Sequence, residues 1–375
     1  MELLFLHGKH DIFFYFFHQE NKISNLKLYM NNCTAIHMES ADGSHIYGRT
    51  LEFSLPVRSS VLVIPRGIEF VGTCHDGKSG KQWRSLYGFM GMSQRIVPSL
   101  KTNLVDGINE KGLVVSALYL PQYSKYQPYR ENARAESLAS WEVVNLLLGL
   151  CANITDVKRI LGRVRVVQQS LPSHAQTSAN GILPTIHFNV LDRKGSNIVV
   201  EYLEGNCVIT DNHVHVLTNA PPFSWQLQNL ERYSSLRPRN ATSIANVNAV
   251  ARAIYPNNYP FMAGNGNGMM GLPGDFTPPS RFVRAALFRR FATIPKTGEA
   301  TENLMWHMMN HFDIFQGLIL DPITTTLETT QWTVVYNLTT GSMSIRTYHN
   351  LIPQIFFLSH LEKDIAGKKI REFPL

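Results

Sequence analysis

Pairs of short β-prone segments joined by tight turns are the feature of this sequence that most restricts its fold. Residues 34–38 and 45–53 flank a turn that contains Asp42 and Gly43, a dipeptide typical of hairpins. Three later pairs of segments have turns of the same kind, at residues 109–112, 192–195 and 338–341. Tight turns join antiparallel neighbours, whereas parallel strands need a long crossover, so the sequence predicts antiparallel sheets.

Segments with helical spacing of apolar residues separate these hairpins. They cover residues 140–148, 155–161, 222–232, 282–291 and 302–310. Ser280 is the expected N-cap of the fourth segment. Hairpins followed by helix pairs favour an α+β fold in which helices cover the outer faces of antiparallel sheets. No linker, repeat or low-complexity segment interrupts residues 33–375, so we expect a single domain there.

The composition is that of a folded globular protein, with 44% hydrophobic and 17% charged residues. No apolar run reaches the roughly 18 residues that a transmembrane helix needs, so we predict no membrane span. The net charge of +7 comes from scattered Lys and Arg residues. Because no basic stripe is interleaved with aromatic residues, we expect no nucleic-acid partner.

Motifs for metals and cofactors are weak in this sequence. No C-x-x-C motif is formed by the four widely separated cysteines Cys33, Cys74, Cys151 and Cys207. Residues 266–271 match G-x-G-x-x-G, but they lack the preceding strand and following helix that dinucleotide binding requires. We therefore predict a protein that needs no metal or cofactor.

Residues 1–32 differ in character from the rest of the chain. Two apolar runs, at residues 1–6 and 12–17, are split by polar residues 7–11, so they form neither the single apolar core nor the cleavage site of a clean secretory signal. We expect residues 1–32 to be a leader or pro-segment that is removed, with translation from Met30 as an alternative. Both a cytoplasmic and an exported location of the protein are compatible with this segment.

Cys33, at the start of the first predicted strand, is the residue with the strongest chemical signal. Arg49 and Glu52 follow it by sixteen and nineteen residues, on the second strand of the same hairpin. The hairpin can therefore place a thiol, a cation and a carboxylate side by side. If the chain is cut before Cys33, this residue carries a free α-amine beside its thiol. Nucleophile and proton acceptor then lie on one residue, as in N-terminal nucleophile hydrolases.

Six ordered motifs resemble those of the choloylglycine hydrolase family, which comprises bile salt hydrolases and penicillin V acylases. They lie at residues 33–36, 47–52, 106–113, 117–121, 216–221 and 271–282. The resemblance implies a four-layer αββα sandwich and an amidohydrolase that cleaves linear, non-peptide amide bonds of a small-molecule substrate.

The resemblance also implies roles for individual residues. Cys33 matches the family's nucleophile, and Arg49 matches the arginine beside the thiol, where positive charge favours thiolate. Asn219 matches the asparagine that contacts the oxyanion and the new N-terminus. Arg281 matches a second active-site arginine. This match would explain a cation in the first turn of a helix, where the helix dipole disfavours positive charge.

Two matched positions vary. Glu52 stands where many family members have aspartate. Its side chain is one methylene longer than that of aspartate, so its contact with the α-amine can differ. Tyr119 stands where bile salt hydrolases commonly have asparagine and penicillin V acylases have tyrosine. This substrate-binding candidate therefore favours acylase-type substrates.

Several functional alternatives stay open. The candidate substrates are conjugated bile salts, phenoxyacetyl penicillins and N-acyl amines such as acyl homoserine lactones. A lipid amidase related to acid ceramidase would share the cysteine and the Gly-Arg-Thr segment but not the later motifs. A relative that has lost catalysis and only binds ligands is an alternative of another class. Residues 236–270 match the place of the family's assembly loop, which suggests a homotetramer.

Overall fold

The computed structural model of the chain describes residues 31–54, 57–74, 77–94, 102–170, 184–239, 267–320 and 326–375. In these residues the strands are β1 (Asn31–Glu39), β2 (His45–Phe53), β3 (Ser59–Ile64), β4 (Glu69–Thr73), β5 (Ser79–Arg84), β6 (Phe89–Gln94), β7 (Leu104–Asn109), β8 (Val114–Tyr119), β9 (Ser137–Ala139), β10 (Arg165–Val167), β11 (Ile186–Leu191), β12 (Asn197–Leu203), β13 (Asn206–Asp211), β14 (Val216–Leu217), β15 (Ile319–Leu320), β16 (Leu327–Asn337), β17 (Ser342–Thr347), β18 (Gln354–Phe357) and β19 (Arg371–Pro374).

The helices in the same residues are α1 (Val143–Leu150), α2 (Ile154–Leu161), α3 (Phe223–Glu231), α4 (Pro278–Phe291), α5 (Gly298–Asn310) and α6 (Glu362–Ile365). Short 3-10 helices lie at Glu131–Glu136, Ser140–Glu142 and Asn267–Met269. Each of the five predicted helical segments coincides with one of the helices α1 to α5, apart from their exact ends.

Two large antiparallel sheets contain most of the strands. The first sheet has the order β14-β1-β2-β16-β17-β18, with β15 paired to β16, and the second has the order β13-β12-β11-β8-β7-β6-β3-β19. The four predicted hairpins are present as the pairs β1–β2, β7–β8, β11–β12 and β16–β17. The prediction of antiparallel sheets is therefore confirmed.

Side chains on the second sheet alternate between two hydrophobic cores, as the period of two along a strand requires. On β3, Val61 and Val63 belong to a core that includes the first sheet together with α4 and α5. Leu62 and Ile64 belong to the other core, which includes α1 and α2. The order of layers is helix, sheet, sheet, helix, so the expected αββα sandwich is confirmed.

The chain changes sheet after β13. Strand β14 contains only Val216 and Leu217 and pairs with β1 in the first sheet. His215, with φ of 56°, lies at the change of direction, and its carbonyl accepts a hydrogen bond from the backbone N–H of His37 at 3.0 Å. This crossing brings the residues that follow β14 close to the start of β1.

Helix α4 begins two residues before the predicted cap. Its N-cap is Thr277, and Pro278 and Pro279 occupy the first helical positions, where the missing N–H and the fixed φ of proline are favourable. The prediction of Ser280 as N-cap is therefore wrong. Arg281 lies in the first turn of the helix, as expected.

Some predictions fall outside the described residues, including those on residues 1–30 and on residues 240–266 of the expected assembly segment. The removal of a leader and the homotetramer therefore stay predictions. Among the residues that are described, no helix has the length and apolar character needed to cross a membrane. Their His, Cys, Asp and Glu side chains form no group of three or more that could hold a metal ion.

Candidate active site

The β1–β2 hairpin places Cys33 and Arg49 on one face of the first sheet. Cys33 pairs with Leu51 across the hairpin, so Arg49 is its diagonal neighbour, two residues away on the same side of the pleat. The Nη2 atom of Arg49 lies 3.5 Å from the Sγ atom of Cys33. The hairpin therefore brings the predicted thiol and cation together.

Arg49 is held in the interior by a carboxylate that the sequence reasoning did not single out. Its Nη1 donates to Asp106 Oδ2 at 2.6 Å and to the Val105 carbonyl at 2.9 Å, and both charged side chains are fully buried. Its Nη2 also donates to the Ala117 carbonyl at 2.5 Å. Burial by itself lowers the pKa of Arg49, but the nearby Cys33 and Asp106 outweigh burial and raise it. Arg49 therefore remains a cation beside the thiol.

Asn219 reaches the site because β14 crosses into the first sheet. Its Oδ1 accepts the backbone N–H of Cys33 at 2.8 Å. Its Nδ2 donates to the carbonyl of Tyr119, at the end of β8, at 2.9 Å. An amide nitrogen carries two hydrogens, so Asn219 has a second N–H beyond the one bonded to Tyr119.

Arg281 links the residues on both sides of the Asn32–Cys33 peptide bond. Its Nη1 donates to the Cys33 carbonyl at 2.5 Å and to Thr34 Oγ1 at 2.8 Å. Its Nη2 donates to Asn32 Oδ1 at 2.7 Å and to Asn219 Oδ1 at 2.8 Å. The planar guanidinium suits such multiple bonding better than a lysine ammonium would. The cation at the start of α4 is therefore used to organise the beginning of β1.

Glu52 is fully buried at this end of the hairpin, opposite Asn32. It accepts a hydrogen bond from Thr330 Oγ1 at 3.2 Å, whereas the backbone N–H of Cys33 is bonded to Asn219. Burial raises the pKa of Glu52 to about 8, although Arg281 lowers it. The longer carboxylate thus lies near the start of β1 without bonding to the Cys33 nitrogen.

Cys33 is buried, with 1% of the residue exposed. Burial raises the pKa of Cys33, the charge of Arg49 opposes that rise, and Glu52 adds to it. In the full chain the thiol is therefore kept neutral, with a cation already placed to stabilise the thiolate that would form on loss of the proton.

Three further residues of this site were missed by the sequence reasoning. Asp106 pairs with Arg49, Asn32 with Arg281, and Glu328 Oε1 accepts a bond from Asn32 Nδ2 at 2.7 Å. Asp106 could have been found, because it is a carboxylate at the start of a matched motif inside an apolar strand. Glu328 carries no local signal, because it approaches the site from β16, nearly three hundred residues away in the chain.

The sequence profile of the linear amide C–N hydrolases of the choloylglycine hydrolase family matches residues 33–370. The chain belongs to this family. The choloylglycine hydrolase match begins at Cys33, the residue around which the described side chains converge. The resemblance seen in the six sequence motifs is therefore confirmed, and the protein is a hydrolase of carbon–nitrogen bonds in linear amides.

Relatives of this choloylglycine hydrolase family member agree in sequence and in fold. A bile salt hydrolase/transferase from Clostridium perfringens (strain 13 / Type A) is 30% identical over 349 residues, which cover 91% of this chain and 96% of the relative. The crystal structure of a mutant conjugated bile acid hydrolase from Clostridium perfringens superposes with a TM-score of 0.75 at 25% identity, covering 92% of this chain and 97% of that one.

A penicillin V acylase from Agrobacterium tumefaciens has the same fold, with a TM-score of 0.67 at 21% identity and coverage of 91% of this chain and 90% of that one. The αββα architecture is thus shared with solved structures of enzymes that are named for different substrates.

Proposed function

We propose that Cys33 is the nucleophile of this linear amide hydrolase, exposed as the first residue of the mature chain by removal of residues 1–32. One observation carries the proposal: Cys33 is the point where Arg49, Asn219 and Arg281 converge, each within hydrogen-bonding distance of one of its atoms. The family profile also begins at this residue.

The proposed reaction uses the α-amine of Cys33 as base. An α-amine has a pKa of about 7.7–8.0, so a useful fraction is neutral near pH 7 and can accept the thiol proton. The sulfur then attacks the carbonyl carbon of the amide, the amine leaves with a proton, and water hydrolyses the thioester. The Asn219 oxygen that accepts the backbone N–H of Cys33 is positioned to orient the freed amine.

The remaining residues stabilise charge in this scheme. Arg49 supports the thiolate, and Asp106 fixes the position of Arg49 through their buried ion pair. The second N–H of Asn219 is the proposed donor to the oxyanion. Loss of such a donor typically reduces the rate by about 10²–10³. Arg281 holds the start of β1 through the Cys33 carbonyl and Thr34, and Glu52 is a buried carboxylate at this end of the hairpin.

The test of the nucleophile compares cysteine variants on a linear amide substrate. Cys33→Ala should abolish turnover, and Cys33→Ser should reduce it severely, because a hydroxyl is a much weaker nucleophile than a thiol near neutral pH. Cys207→Ser on β13 is the matched control and should retain turnover. Normal turnover by either Cys33 variant would contradict the proposal. A processed wild type that binds acyl amides without hydrolysing them would indicate a ligand-binding relative.

For the substrate, we propose an amide with a bulky apolar acyl group, as in conjugated bile salts or penicillin V. Tyr119 favours the penicillin-type acyl group by its match in the family, and its carbonyl already bonds Asn219. Parallel hydrolysis assays should use a conjugated bile salt, penicillin V, an acyl homoserine lactone and a ceramide. The proposal predicts the highest kcat/KM for penicillin V. Tyr119→Asn should shift the ratio towards the bile salt.

We also propose a homotetramer, supported by the place of residues 236–270 in the sequence. Measurement of the molar mass in solution by light scattering tests it. A mass close to that of the single chain would contradict it.

A further inference from the structure

The side chain of Asn32, the residue immediately before Cys33, is enclosed by charged groups. It is 7% exposed, and both Glu328 and Arg281 are fully buried. Its Nδ2 donates to Glu328 Oε1 at 2.7 Å, and its Oδ1 accepts from Arg281 Nη2 at 2.7 Å. The Asn32 carboxamide thus donates to a carboxylate and accepts from a guanidinium.

This enclosure is unexpected for a residue that belongs to the removed segment. Burial of a carboxylate and a guanidinium is costly unless their hydrogen bonds are well formed, so such groups rarely surround a side chain without a role. A segment that is only cut off and lost needs no buried polar contacts at its last residue. The enclosure of Asn32 therefore calls for a role before the cut.

The same contacts fix the peptide bond between Asn32 and Cys33 from both sides. Arg281 bonds the Asn32 side chain and the Cys33 carbonyl with its two terminal nitrogens. Glu328 is placed by β16, which pairs with β2 and has a register shift between Thr330 and Trp332. Such irregularities redirect side chains at functional sites.

We propose that Glu328 and Arg281 clamp the Asn32 side chain and thereby position the Asn32–Cys33 peptide bond for self-cleavage by the Cys33 thiol. This inference rests on the proposed role of Cys33 and adds Glu328 as a positioning residue that acts before the mature enzyme exists. Arg281 has a part in both stages.

The cleavage step balances with water as the only co-reactant. Cys33 Sγ attacks the carbonyl carbon of Asn32, the C–N bond breaks, and the thiol proton ends on the Cys33 α-amine. The resulting thioester between Asn32 and Cys33 is hydrolysed by water. The products are the Asn32 carboxylate, a free thiol and a free α-amine on Cys33.

Asn32→Ala provides a clean test, because the mature chain that begins at Cys33 is chemically identical whichever residue preceded it. The full chain is made by cell-free synthesis, and intact mass is followed with time. Wild type should convert to the chain that begins at Cys33. Asn32→Ala and Glu328→Ala should convert at least about tenfold more slowly, because each loses a hydrogen bond to a charged group.

Two controls separate the clamp from a general effect on folding. Glu302→Ala removes a similar pair, in which Asn337 Nδ2 donates to Glu302 Oε1 at 2.6 Å far from Cys33, and should convert at the wild-type rate. Asn32→Asp sets two carboxylates against each other and should be slow, whereas Asn32→Asp with Glu328→Gln restores a donor–acceptor pair and should recover the rate.

Conversion of Asn32→Ala at the wild-type rate would overturn the clamp. Loss of the leader from Cys33→Ala at the wild-type rate would overturn self-cleavage, and so would a wild-type chain that stays intact. Failure of the proposed function looks different: a chain expressed to begin at Cys33 after methionine removal would show no amide hydrolysis, whatever the processing rates of the full-length variants.

Discussion

Strand β1 carries Cys33 near its first residue and His37 four residues later, and the two positions have different electrostatic surroundings. Cys33 lies among permanent charges, with Arg49 and Arg281 bonded to its thiol and carbonyl. His37 lies among other imidazoles: its Nδ1 is 2.9 Å from His215 Nδ1, and its Nε2 is 3.1 Å from His45 Nδ1.

The titratable groups at the two ends respond to pH in opposite directions. Burial and the neighbouring His215 and His45 lower the pKa of His37 well below its usual value. Burial raises the pKa of Glu52 at the Cys33 end to about 8. Both groups are therefore kept neutral near pH 7. The comparison teaches that burial suppresses the charged form of titratable side chains at both ends of β1, and that the Cys33 end adds arginines bonded to the thiol and carbonyl of Cys33 itself.

The largest effect is expected from breaking the buried pair that holds Arg49. Asp106→Ala leaves Arg49 without its carboxylate and should lower the free energy of unfolding by about 3–5 kcal/mol. Asp211→Ala removes an exposed pair with Lys158 and should cost less than about 1 kcal/mol. Urea unfolding of both variants measures the contrast, and equal small losses would show that the charges at the Cys33 end are not structurally coupled.

The next largest effect should distinguish two arginines of α4. Arg281→Lys loses several of the bonds at the start of β1 and should reduce kcat/KM by roughly 10- to 100-fold. Arg289 donates from Nε to the His37 carbonyl at 2.8 Å, at the other end of the strand, so Arg289→Lys should leave kcat/KM nearly unchanged. Both variants are expressed as chains that begin at Cys33, so that differences in leader removal do not affect the measured kcat/KM. Similar reductions of kcat/KM in both variants would contradict the proposed difference between the two ends of β1.

Acid should destabilise the fold through the His37 end. An unfolded histidine binds its proton at a pKa of about 6.5, whereas buried His37 resists protonation, so stability is present above that pH and is lost as pH falls below it. The slope from His37 should be up to about 1.4 kcal/mol per pH unit. His37→Gln should flatten the loss, and the exposed His360→Gln serves as control. An unchanged slope in His37→Gln would contradict this account.

Alkali should destabilise the fold through Glu52, because burial keeps its carboxyl group protonated in the folded chain even though Arg281 favours the charged form. Since its folded pKa is raised from 4.5 to about 8, stability falls as pH rises between these values. Glu52→Gln in the uncut Cys33→Ala background should flatten this fall. An identical pH dependence of stability between pH 5 and pH 8 in the Cys33→Ala parent and in its Glu52→Gln variant, measured by urea titration, would contradict the prediction.

The sequence carried enough local signal for the hairpins and for the cluster of Cys33 and Arg49. Asp42 and Gly43 specify the first turn, with Gly43 at a φ of +80°, and alternation of side chains then sets the register. Helix α4 was found by its periodicity, although the proline pair moved its start. These features depend on residues that are near one another in the chain.

The parts that sequence reasoning missed depend on contacts between distant segments. The crossing of β14 into the first sheet brings in Asn219, and the residues before it give no local sign of the change of sheet. Glu328 depends on the pairing of β16 with β2 and on its register shift. The bond between Asp106 and Arg49 depends on how the two sheets stack. Only the family resemblance gave Asn219 and Arg281 a role before the structure placed them.

The most direct measurement of the central claim combines the mature N-terminus with the site of covalent labelling. The processed protein is treated with an electrophile that carries an apolar acyl group, digested, and analysed by mass spectrometry while residual amidase activity is recorded. We predict a mature chain that begins at Cys33, one label on the Cys33 thiol, and loss of activity in proportion to labelling. Labelling of Cys207 in place of Cys33, or an active chain that still begins upstream of Cys33, would contradict the account.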